Sequence, residues 1–458
     1  MVLVETLVHK QDPVLSHIAL VAAATAGVVA QGGFYLPGRT LVTVLAAVAF
    51  GLALHARRDL LTGLVAILGT AGAVVAWALL RGVVSGGLPV VAAVAASLAT
   101  LVAALAAVRL TGPAARQWLM SGLVGLGTLV AVTGWAGVAW RLERWSVLVE
   151  STMWRAASTL TYSNAAAAVL AAAALLALAL AVDDPNVWWR PCAVYLTQVG
   201  LAATLSRAGA LAFAAGLVVL AAASGVRTVL RHAVPALLGA GVALAALIPS
   251  FPADASPRPL LAVGGLVAGA VVALVLPRLP AFVLLGAGAV LAVAAVLGLR
   301  HVAGLDALLA RRATLASRGR SGATSSALDL VAAHPLAGSG PGQGRYFWID
   351  HTGQLVVSRW VHNEYLQWLV DLGAIGLVLL LAFVAALILH VRAGRRAGVP
   401  IPLWAGAVAA IAALALHSAF DFLWELAVVP LLVGVLVGIA GPSHGEESAT
   451  PPNGEETS

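Results

Sequence analysis

Apolar runs long enough to cross a bilayer recur along the chain, and short polar segments separate them. A helix rises 1.5 Å per residue, so about 20 apolar residues span a hydrocarbon core of about 30 Å. We therefore expect an all-α polytopic membrane protein with about 12–14 transmembrane helices, since several of the runs are short. The candidate spans lie near 15–31, 39–55, 60–80, 88–108, 117–140, 164–182, 191–205, 208–224, 230–249, 259–276, 280–297, 368–391, 402–417 and 426–441.

One long stretch, 298–367, interrupts this pattern with arginines, aromatic residues and the Gly/Pro-rich segment 334–344. Aromatic residues argue against disorder, and long ordered loops are commonly functional. Apolar residues at helical spacing predict a helix over 322–333, and a second helix is expected to begin near Asn363 and to continue into the next span.

These features divide the chain into four parts. The predicted parts are an N-terminal membrane bundle of about eleven spans (1–297), one large extracytoplasmic loop with short helices (298–367), C-terminal membrane spans (368–441) and a disordered cytoplasmic tail (442–458).

Composition supports the membrane assignment. Charged residues make up 10% of the chain and hydrophobic residues 61%, whereas soluble domains hold about 25% charged residues. The net charge of +7 comes from arginines scattered between apolar runs, which is typical of topology determinants. We therefore expect a lipid bilayer and no nucleic acid as a partner. The single cysteine, Cys192, excludes an intrachain disulfide and disfavours a cysteine-based metal site.

The short loops predict the orientation in the membrane. If both termini are inside, the inner short loops hold twelve basic residues and the outer ones seven. Cytoplasmic loops carry the excess of Lys and Arg. We therefore expect a multi-pass protein of the cell inner (plasma) membrane, with both termini cytoplasmic and 298–367 on the extracytoplasmic side.

The strongest candidate for chemistry is His362-Asn363, followed after nine residues by Gly373-Ala374-Ile375-Gly376. Histidine exchanges a proton near neutral pH and can orient a hydroxyl. The two glycines allow a neighbouring helix to approach closely. The structural alternative is an interfacial histidine that makes one hydrogen bond.

Two arginines are candidates for binding an anion. Arg207 follows Ser206 between two apolar runs, where a charge costs about 2.5–3.5 kcal/mol. Arg320 precedes the segment 334–344 in the long loop, and guanidinium groups bind phosphate bidentately. The structural alternatives are snorkelling to the headgroups for Arg207 and a solvated loop charge for Arg320.

His417 and Asp421 are spaced i, i+4, and Glu425 follows one turn later. We expect one helix face to present all three, as a hydrogen-bonded cluster. The set lacks a convincing third metal ligand, so no metal is expected.

Arg155, Tyr162 and Asn164 precede a span on the predicted outer side. They are candidates for an acceptor groove, although an interfacial aromatic belt explains the neighbouring aromatic residues equally well.

Taken together, these segments resemble the O-antigen ligase and O-antigen polymerase superfamily of bacterial membrane glycosyltransferases. The similarity covers about 150–441, and the block around His362 is its most specific part. It rests on the order and spacing of Ser206-Arg207, Gly319-Arg320, His334-Pro335-Leu336-Ala337-Gly338-Ser339-Gly340, His362-Asn363 with Gly373-Ala374-Ile375-Gly376, and His417-Ser418-Ala419-Phe420-Asp421.

The resemblance implies a GT-C-like fold and metal-independent transfer of a glycan, without a cofactor, to an acceptor hydroxyl on the extracytoplasmic face. The implied donor is an undecaprenyl-diphosphate-linked oligosaccharide or polysaccharide, and the implied acceptor is a glycan or a lipid-anchored sugar. The implied catalytic residues are His362, Arg320 and Arg207, and the implied substrate-binding residues are Asn363, Arg155, Tyr162, Asn164, His417 and Asp421.

Other functions remain open at this point. Within the superfamily they are a polysaccharide polymerase and a protein-directed oligosaccharyltransferase. From another class, a transporter or flippase for lipid-linked sugars also suits many spans with buried arginines. Transporters often consist of two related halves, and the sequence shows no such symmetry. A structural membrane subunit would leave the His362 block without a role.

Overall fold

The computed structural model describes residues 2–56, 63–109, 112–149, 151–275, 286, 318–349 and 353–443. In these residues the fold is all-α, with two short β-hairpins between helices.

The helices follow the predicted order along the chain. They are α1 (Val2–Val29), α2 (Leu36–Ala56), α3 (Val65–Ser85), α4 (Leu88–Arg109), α5 (Pro113–Trp140), α6 (Ser163–Asp183), α7 (Trp189–Ala203), α8 (Arg207–Ser224), α9 (Val226–Leu247), α10 (Pro259–Val275), α11 (Arg318–Ala333), α12 (Glu364–Arg396), α13 (Ile401–Ser418) and α14 (Val428–Ala440). The strands are β1 (Ser146–Val149), β2 (Met153–Ala156), β3 (Tyr346–Ile349) and β4 (Leu355–Ser358).

Nine helices among the described residues are long and apolar enough to cross a membrane, which identifies a multi-pass membrane protein. Helices stand at every predicted span except 280–297, which lies outside the described residues apart from position 286, as does the tail from 444 onward. The helix predicted over 322–333 is confirmed and begins earlier, at Arg318, and the helix predicted to begin near Asn363 is α12.

Helix α6 forms the centre of the bundle. Every residue from Ser163 to Ala181 is buried, and α6 packs against α5, α7, α8, α9 and α13. Alanine dominates its sequence, and such small side chains let neighbouring helices approach closely in a membrane protein. Residues at the N-terminus of α6 therefore lie in the middle of one end of the bundle.

The two hairpins were not predicted from the sequence. In the first, Val147 pairs with Arg155, and in the second, Phe347 pairs with Val357. Each strand has only four residues, too few for an alternating pattern to stand out beside apolar spans. Tyr346 is fully buried against α11, and this burial raises the pKa of its hydroxyl.

Helix α12 is interrupted at Gly373, whose backbone has φ 67° and ψ −169°. The Gly/Pro-rich segment 334–344 occupies this break. The amide of Ala374 donates to the carbonyl of Pro335 (2.9 Å), and the amide of Gly340 donates to the carbonyl of Asp371 (3.1 Å). Backbone groups freed by a break in a membrane helix need such internal partners. The segment is therefore an ordered part of the fold, attached to the helix that follows His362.

Candidate functional site

Asp421 is the centre of the candidate site. Its carboxylate is fully buried, and its two oxygens take part in at least four hydrogen bonds. Oδ2 accepts from the hydroxyl of Tyr162 (2.6 Å) and from Nδ2 of Asn164 (2.5 Å). Oδ1 lies 3.0 Å from Nδ1 of His362 and accepts from the amide of Phe422 (3.0 Å). This arrangement matches an ionised carboxylate, which acts only as an acceptor.

His362 lies immediately before α12, whose first turn is capped by Asn363. The side chain of Asn363 accepts from the amide of Leu366 (3.1 Å), which fixes where the helix begins. An anionic oxygen of Asp421 facing Nδ1 requires that nitrogen to donate, so Nε2 carries the lone pair of the neutral ring. With 30% of its side chain exposed, the imidazole is both anchored and accessible.

Aromatic rings hold this pair in place. The ring of Phe422 stacks between Tyr162 (centroids 5.4 Å apart, interplanar angle 12°) and Trp360 (5.2 Å, 20°). The ring of His362 tilts against the same phenyl group, with centroids 5.0 Å apart. Three rings therefore pack around Phe422 in the segment that carries Asp421, and the imidazole rests against the same phenyl group.

A second layer of hydrogen bonds joins three further segments to the carboxylate. Oδ1 of Asn164 accepts from Nη2 of Arg155 on β2 and from the hydroxyl of Ser206, both at 3.1 Å. Nε of Arg155 donates to the carbonyl of Thr204 (2.7 Å), and the Ser206 hydroxyl caps α8 by accepting from Gly209. The network thus connects β2, the start of α6 and the junction between α7 and α8.

Arg207 directly follows Ser206, a member of this network, in the chain. It begins α8 next to the Ser206 cap and is half-buried. Within the described part of the chain, its Nη1 atom is buried and has no hydrogen-bond partner. A guanidinium group stays charged and donates to anions in a planar fork. Arg207 therefore offers an unused donor on the residue that directly follows Ser206, which is bound to Asn164 in this network.

The backbone at the site is strained. Thr161, Leu205 and His362 all have left-handed backbones, with φ of 56°, 50° and 57°. Non-glycine residues rarely adopt this conformation, and such strain concentrates at functional sites. Each of the three belongs to the network or directly adjoins it.

The structure thus brings together most of the residues nominated from the sequence. Arg155, Tyr162, Asn164, His362 and Asp421 form one hydrogen-bonded network, and Arg207 adjoins it. Arg320 lies in the first turn of α11, and its side chain is outside the described residues. His417 is fully buried in the last turn of α13.

The expectation of one helix face for His417, Asp421 and Glu425 is wrong. Helix α13 ends at Ser418, because its last backbone bonds tighten to i−3 partners, including the bond from Phe420 to His417 (2.9 Å). Asp421 therefore lies in a turn and faces α6. Glu425 lies in a separate 3₁₀ turn and pairs with an arginine at the start of α2.

Sequence reasoning missed several residues at this end of the bundle. Phe422 was not singled out, although it directly follows the candidate Asp421. Arg39 was counted only as a topology determinant, although it binds Glu425 (3.0 Å). Glu364 was overlooked, and its position directly after His362-Asn363 was the available signal.

Chemically, the site combines an oriented base with a guanidinium group on the residue that follows the network member Ser206. Such a pair can take a proton from a hydroxyl while negative charge is stabilised nearby. No family model matches this chain, and no curated protein matches it. The chemistry is therefore argued from these side chains alone.

Proposed function

We propose that this chain is a membrane glycosyltransferase that moves a glycan from undecaprenyl diphosphate to an acceptor hydroxyl on the extracytoplasmic face. The observation that carries the proposal is the hydrogen bond between Nδ1 of His362 and the buried carboxylate of Asp421. It provides an oriented base at the end of the bundle where Arg207 follows the network residue Ser206. A buried carboxylate that fixes the tautomer of a histidine is a recurrent arrangement in proton-transfer catalysis.

In the proposed reaction, the acceptor oxygen attacks the anomeric carbon of the donor sugar. The new C–O bond forms as the bond between that carbon and the diphosphate oxygen breaks, and the electron pair leaves with the diphosphate. The proton of the acceptor hydroxyl passes to Nε2 of His362. A single displacement of this kind inverts the anomeric configuration.

Negative charge grows on the diphosphate as it leaves, and fixed cations lower the energy of that state. The unused Nη1 donor of Arg207 supports this role. We assign the second cation to Arg320, on the resemblance of its segment to the ligase and polymerase superfamily. A lipid-linked donor also suits a protein with nine candidate membrane helices in its described part, because the donor then diffuses to the site within the bilayer.

The distribution of basic residues supports the proposed side of the reaction. We place both termini in the cytoplasm, because the basic residues favour the loops on that side. The proposed architecture is GT-C-like, with 12–14 transmembrane helices in the inner membrane and the loop 298–367 outside. Asn363, His417 and the residues around Asp421 then line the extracytoplasmic end.

The test is transfer by purified protein from a defined undecaprenyl-diphosphate oligosaccharide to candidate acceptors, without added metal and with a chelator present. We expect glycan transfer and release of undecaprenyl diphosphate. His362→Ala should abolish it, whereas the control His55→Ala, at an exposed site in the last turn of α2, should retain it. A product extended by donor repeats identifies a polymerase, and a product on a different acceptor identifies a ligase. Movement of intact donor across a liposome membrane without bond cleavage would instead identify a flippase and overturn the proposal.

A further inference from the structure

A cavity of about 700 Å³ lies at the end of the bundle opposite the candidate site. Its walls include Ala181 of α6, Cys192 of α7, Ala236 of α9 and Ala273 of α10. Helix α6 begins at Ser163, beside the candidate site, and reaches this cavity near its other end. Its 21 residues correspond to a length of about 30 Å. On the topology proposed above, the cavity therefore belongs to the cytoplasmic half of the protein.

The cavity is large enough to hold a ligand, and its walls are mostly apolar. Ligand pockets commonly have volumes of about 300–1,000 Å³. Asn186, Arg231 and His232 are the polar and charged residues of the lining, and alanine, proline, valine, leucine and tryptophan side chains form the rest together with Cys192. Water finds few hydrogen-bond partners on such walls. They therefore favour an occupant that is chiefly apolar and carries a polar group at one end.

The guanidinium group of Arg231 is the accessible charge of this cavity. Arg231 is exposed, and among the described residues no carboxylate forms an ion pair with it. The two carboxylates at the end of α6 do not line the cavity and have partners of their own. Asp183 binds Arg190 (3.3 Å), and Asp184 accepts from the amide of Asn186 (3.0 Å). Arg231 is thus available to pair with an anion that enters the cavity.

Trp188 places the mouth of the cavity at the membrane surface. Its side chain is 78% exposed although it contributes to the cavity wall. Tryptophan residues concentrate at the boundary between the hydrocarbon and the headgroups. Arg231 then lies near the depth of the lipid phosphates, and Ala236 lies about 7.5 Å further into the membrane along α9. The charge and the apolar walls are therefore arranged in the same order as the parts of a lipid.

Four kinds of occupant can be compared with this arrangement. A phosphate group forms charge-assisted hydrogen bonds with a guanidinium group, but a free phosphate ion would leave the apolar walls unmatched. A hydrocarbon would leave the charge of Arg231 unpaired. A zwitterionic lipid would bring its own cation close to Arg231. An anionic phospholipid matches both parts, and basic pockets between membrane helices on the cytoplasmic side are suited to anionic headgroups.

We propose that this cavity binds an anionic phospholipid of the inner leaflet, such as phosphatidylglycerol. Its phosphate pairs with Arg231, and the side-chain amide of Asn186 donates to the headgroup. The acyl chains cover the walls at Ala236 and Ala273 and continue over the exposed apolar faces of α9 and α10, which include Leu237 and Val271. The lipid fills the space between α6, α7, α9 and α10. This inference goes beyond the proposed function and does not depend on it.

The single cysteine of the chain reports on occupancy of the cavity, because Cys192 lies in its wall and is partly exposed. Dioctanoyl phosphatidylglycerol is titrated into the purified full-length protein in a neutral detergent, and alkylation of Cys192 by N-ethylmaleimide is followed by mass spectrometry. We expect the saturating lipid to slow alkylation severalfold, whereas dioctanoyl phosphatidylcholine and inorganic phosphate do not. The thermal midpoint, which a bound ligand raises, gives the Kd independently.

Variants locate the phosphate group. Arg231→Gln should weaken binding of phosphatidylglycerol about tenfold or more, since it removes a hydrogen bond between charged groups. Arg231→Lys should retain part of the affinity, because the charge remains. The matched control is Arg227→Gln, which alters an exposed arginine one turn earlier on α9 that does not line the cavity. Ala236→Phe narrows the cavity without changing a charge and should also weaken binding.

The inference is overturned if Arg231→Gln binds phosphatidylglycerol with the Kd of Arg227→Gln, or if this lipid leaves the alkylation rate of Cys192 unchanged. Equal protection by phosphatidylcholine would show that any lipid occupies the cavity and that Arg231 selects nothing. Protection by inorganic phosphate alone would identify a site for a free anion and would likewise exclude the lipid. Thermal midpoints without lipid establish that each variant is folded, and none of these measurements requires glycan transfer.

Discussion

Nδ1 of His362 lies 3.0 Å from Oδ1 of Asp421, and this contact determines which ring nitrogen is basic. The carboxylate cannot rotate away, because Tyr162 and Asn164 hold its other oxygen. A fixed anion opposite Nδ1 favours the tautomer with its lone pair on Nε2. In the proposed reaction, the pair therefore acts as one unit.

Replacing Asp421 with asparagine tests this unit. The amide preserves the shape of the side chain, but it removes the negative charge that holds the tautomer. We expect kcat to fall by about 10²–10⁴-fold, the usual contribution of general acid–base catalysis, with both KM values within a few-fold of normal. Steady-state transfer kinetics provide the measurement, and Asp329→Asn on the exposed side of α11 is the control.

The double variant Asp421→Asn/His362→Ala tests whether the two side chains act together. Groups that act as a unit are non-additive, so the double variant should be about as slow as the slower single variant. Independent, multiplying losses would show that the two side chains act separately.

Much of the fold was predictable because membrane spans are local features of sequence. A run of about 20 apolar residues must form a helix in lipid, whatever its neighbours. The hairpins at β1–β2 and β3–β4 were missed because four-residue strands give little periodicity. The span 402–417 matches α13, but the shared helix face of His417, Asp421 and Glu425 was wrong, because the turn after Ser418 depends on backbone bonds that no spacing rule reveals.

Most residues of the candidate site could be predicted from the sequence, but the contacts between them could not. His362 and Arg207 stood out because ionisable groups near spans are expensive. That Asn164 links Asp421 to Ser206 depends on packing between helices far apart in the chain. Residue type and spacing carry no signal for such pairs, and homologous sequences that vary together would be needed to find them.

We expect Arg207 to affect catalysis through its contact with the lipid-linked donor substrate. Its Nη1 atom has no partner in the described part of the chain, and a hydrogen bond between charged groups contributes about 1.5–3 kcal/mol. Arg207→Ala should therefore lower kcat/KM for the lipid-linked donor about ten- to hundredfold. Arg207→Lys should recover part of the loss, since a point charge remains without the planar fork.

The matched control is Arg227→Ala, an exposed arginine in the first turn of α9. Donor titrations at fixed acceptor concentration compare the three variants. An Arg207→Ala protein with the donor kinetics of Arg227→Ala would exclude the diphosphate role.

The orientation of the protein is testable with a single thiol. In a Cys192→Ser background, cysteine replaces either Thr152 in the β1–β2 turn or Arg395 near the end of α12, both exposed. An impermeant maleimide added to intact spheroplasts should label the cysteine at 152 and spare the one at 395. Lysis should expose both. Labelling of 395 alone before lysis would invert the topology and place the site in the cytoplasm.

Gly373 should be irreplaceable where α12 breaks. Its φ of 67° and ψ of −169° lie in a region that is essentially limited to glycine and costs other residues about 1–3 kcal/mol. A β-carbon there would also collide with the carbonyl of Leu336 and the amide of Gly338. Gly373→Ala should therefore displace the segment 334–344 from the helix that follows His362.

Gly398→Ala separates the cost of the backbone conformation from the cost of the steric collision. Gly398 also has a positive φ of 88°, but nothing lies within 4 Å of the added carbon. We expect Gly398→Ala to lower the thermal midpoint in detergent slightly and to leave transfer intact. Gly373→Ala should lower the midpoint further and reduce transfer at temperatures where the protein is still folded, because His362 is held by the helix that the break positions. Equal effects in the two variants would mean that the backbone conformation alone matters, and that docking of 334–344 contributes nothing to the site.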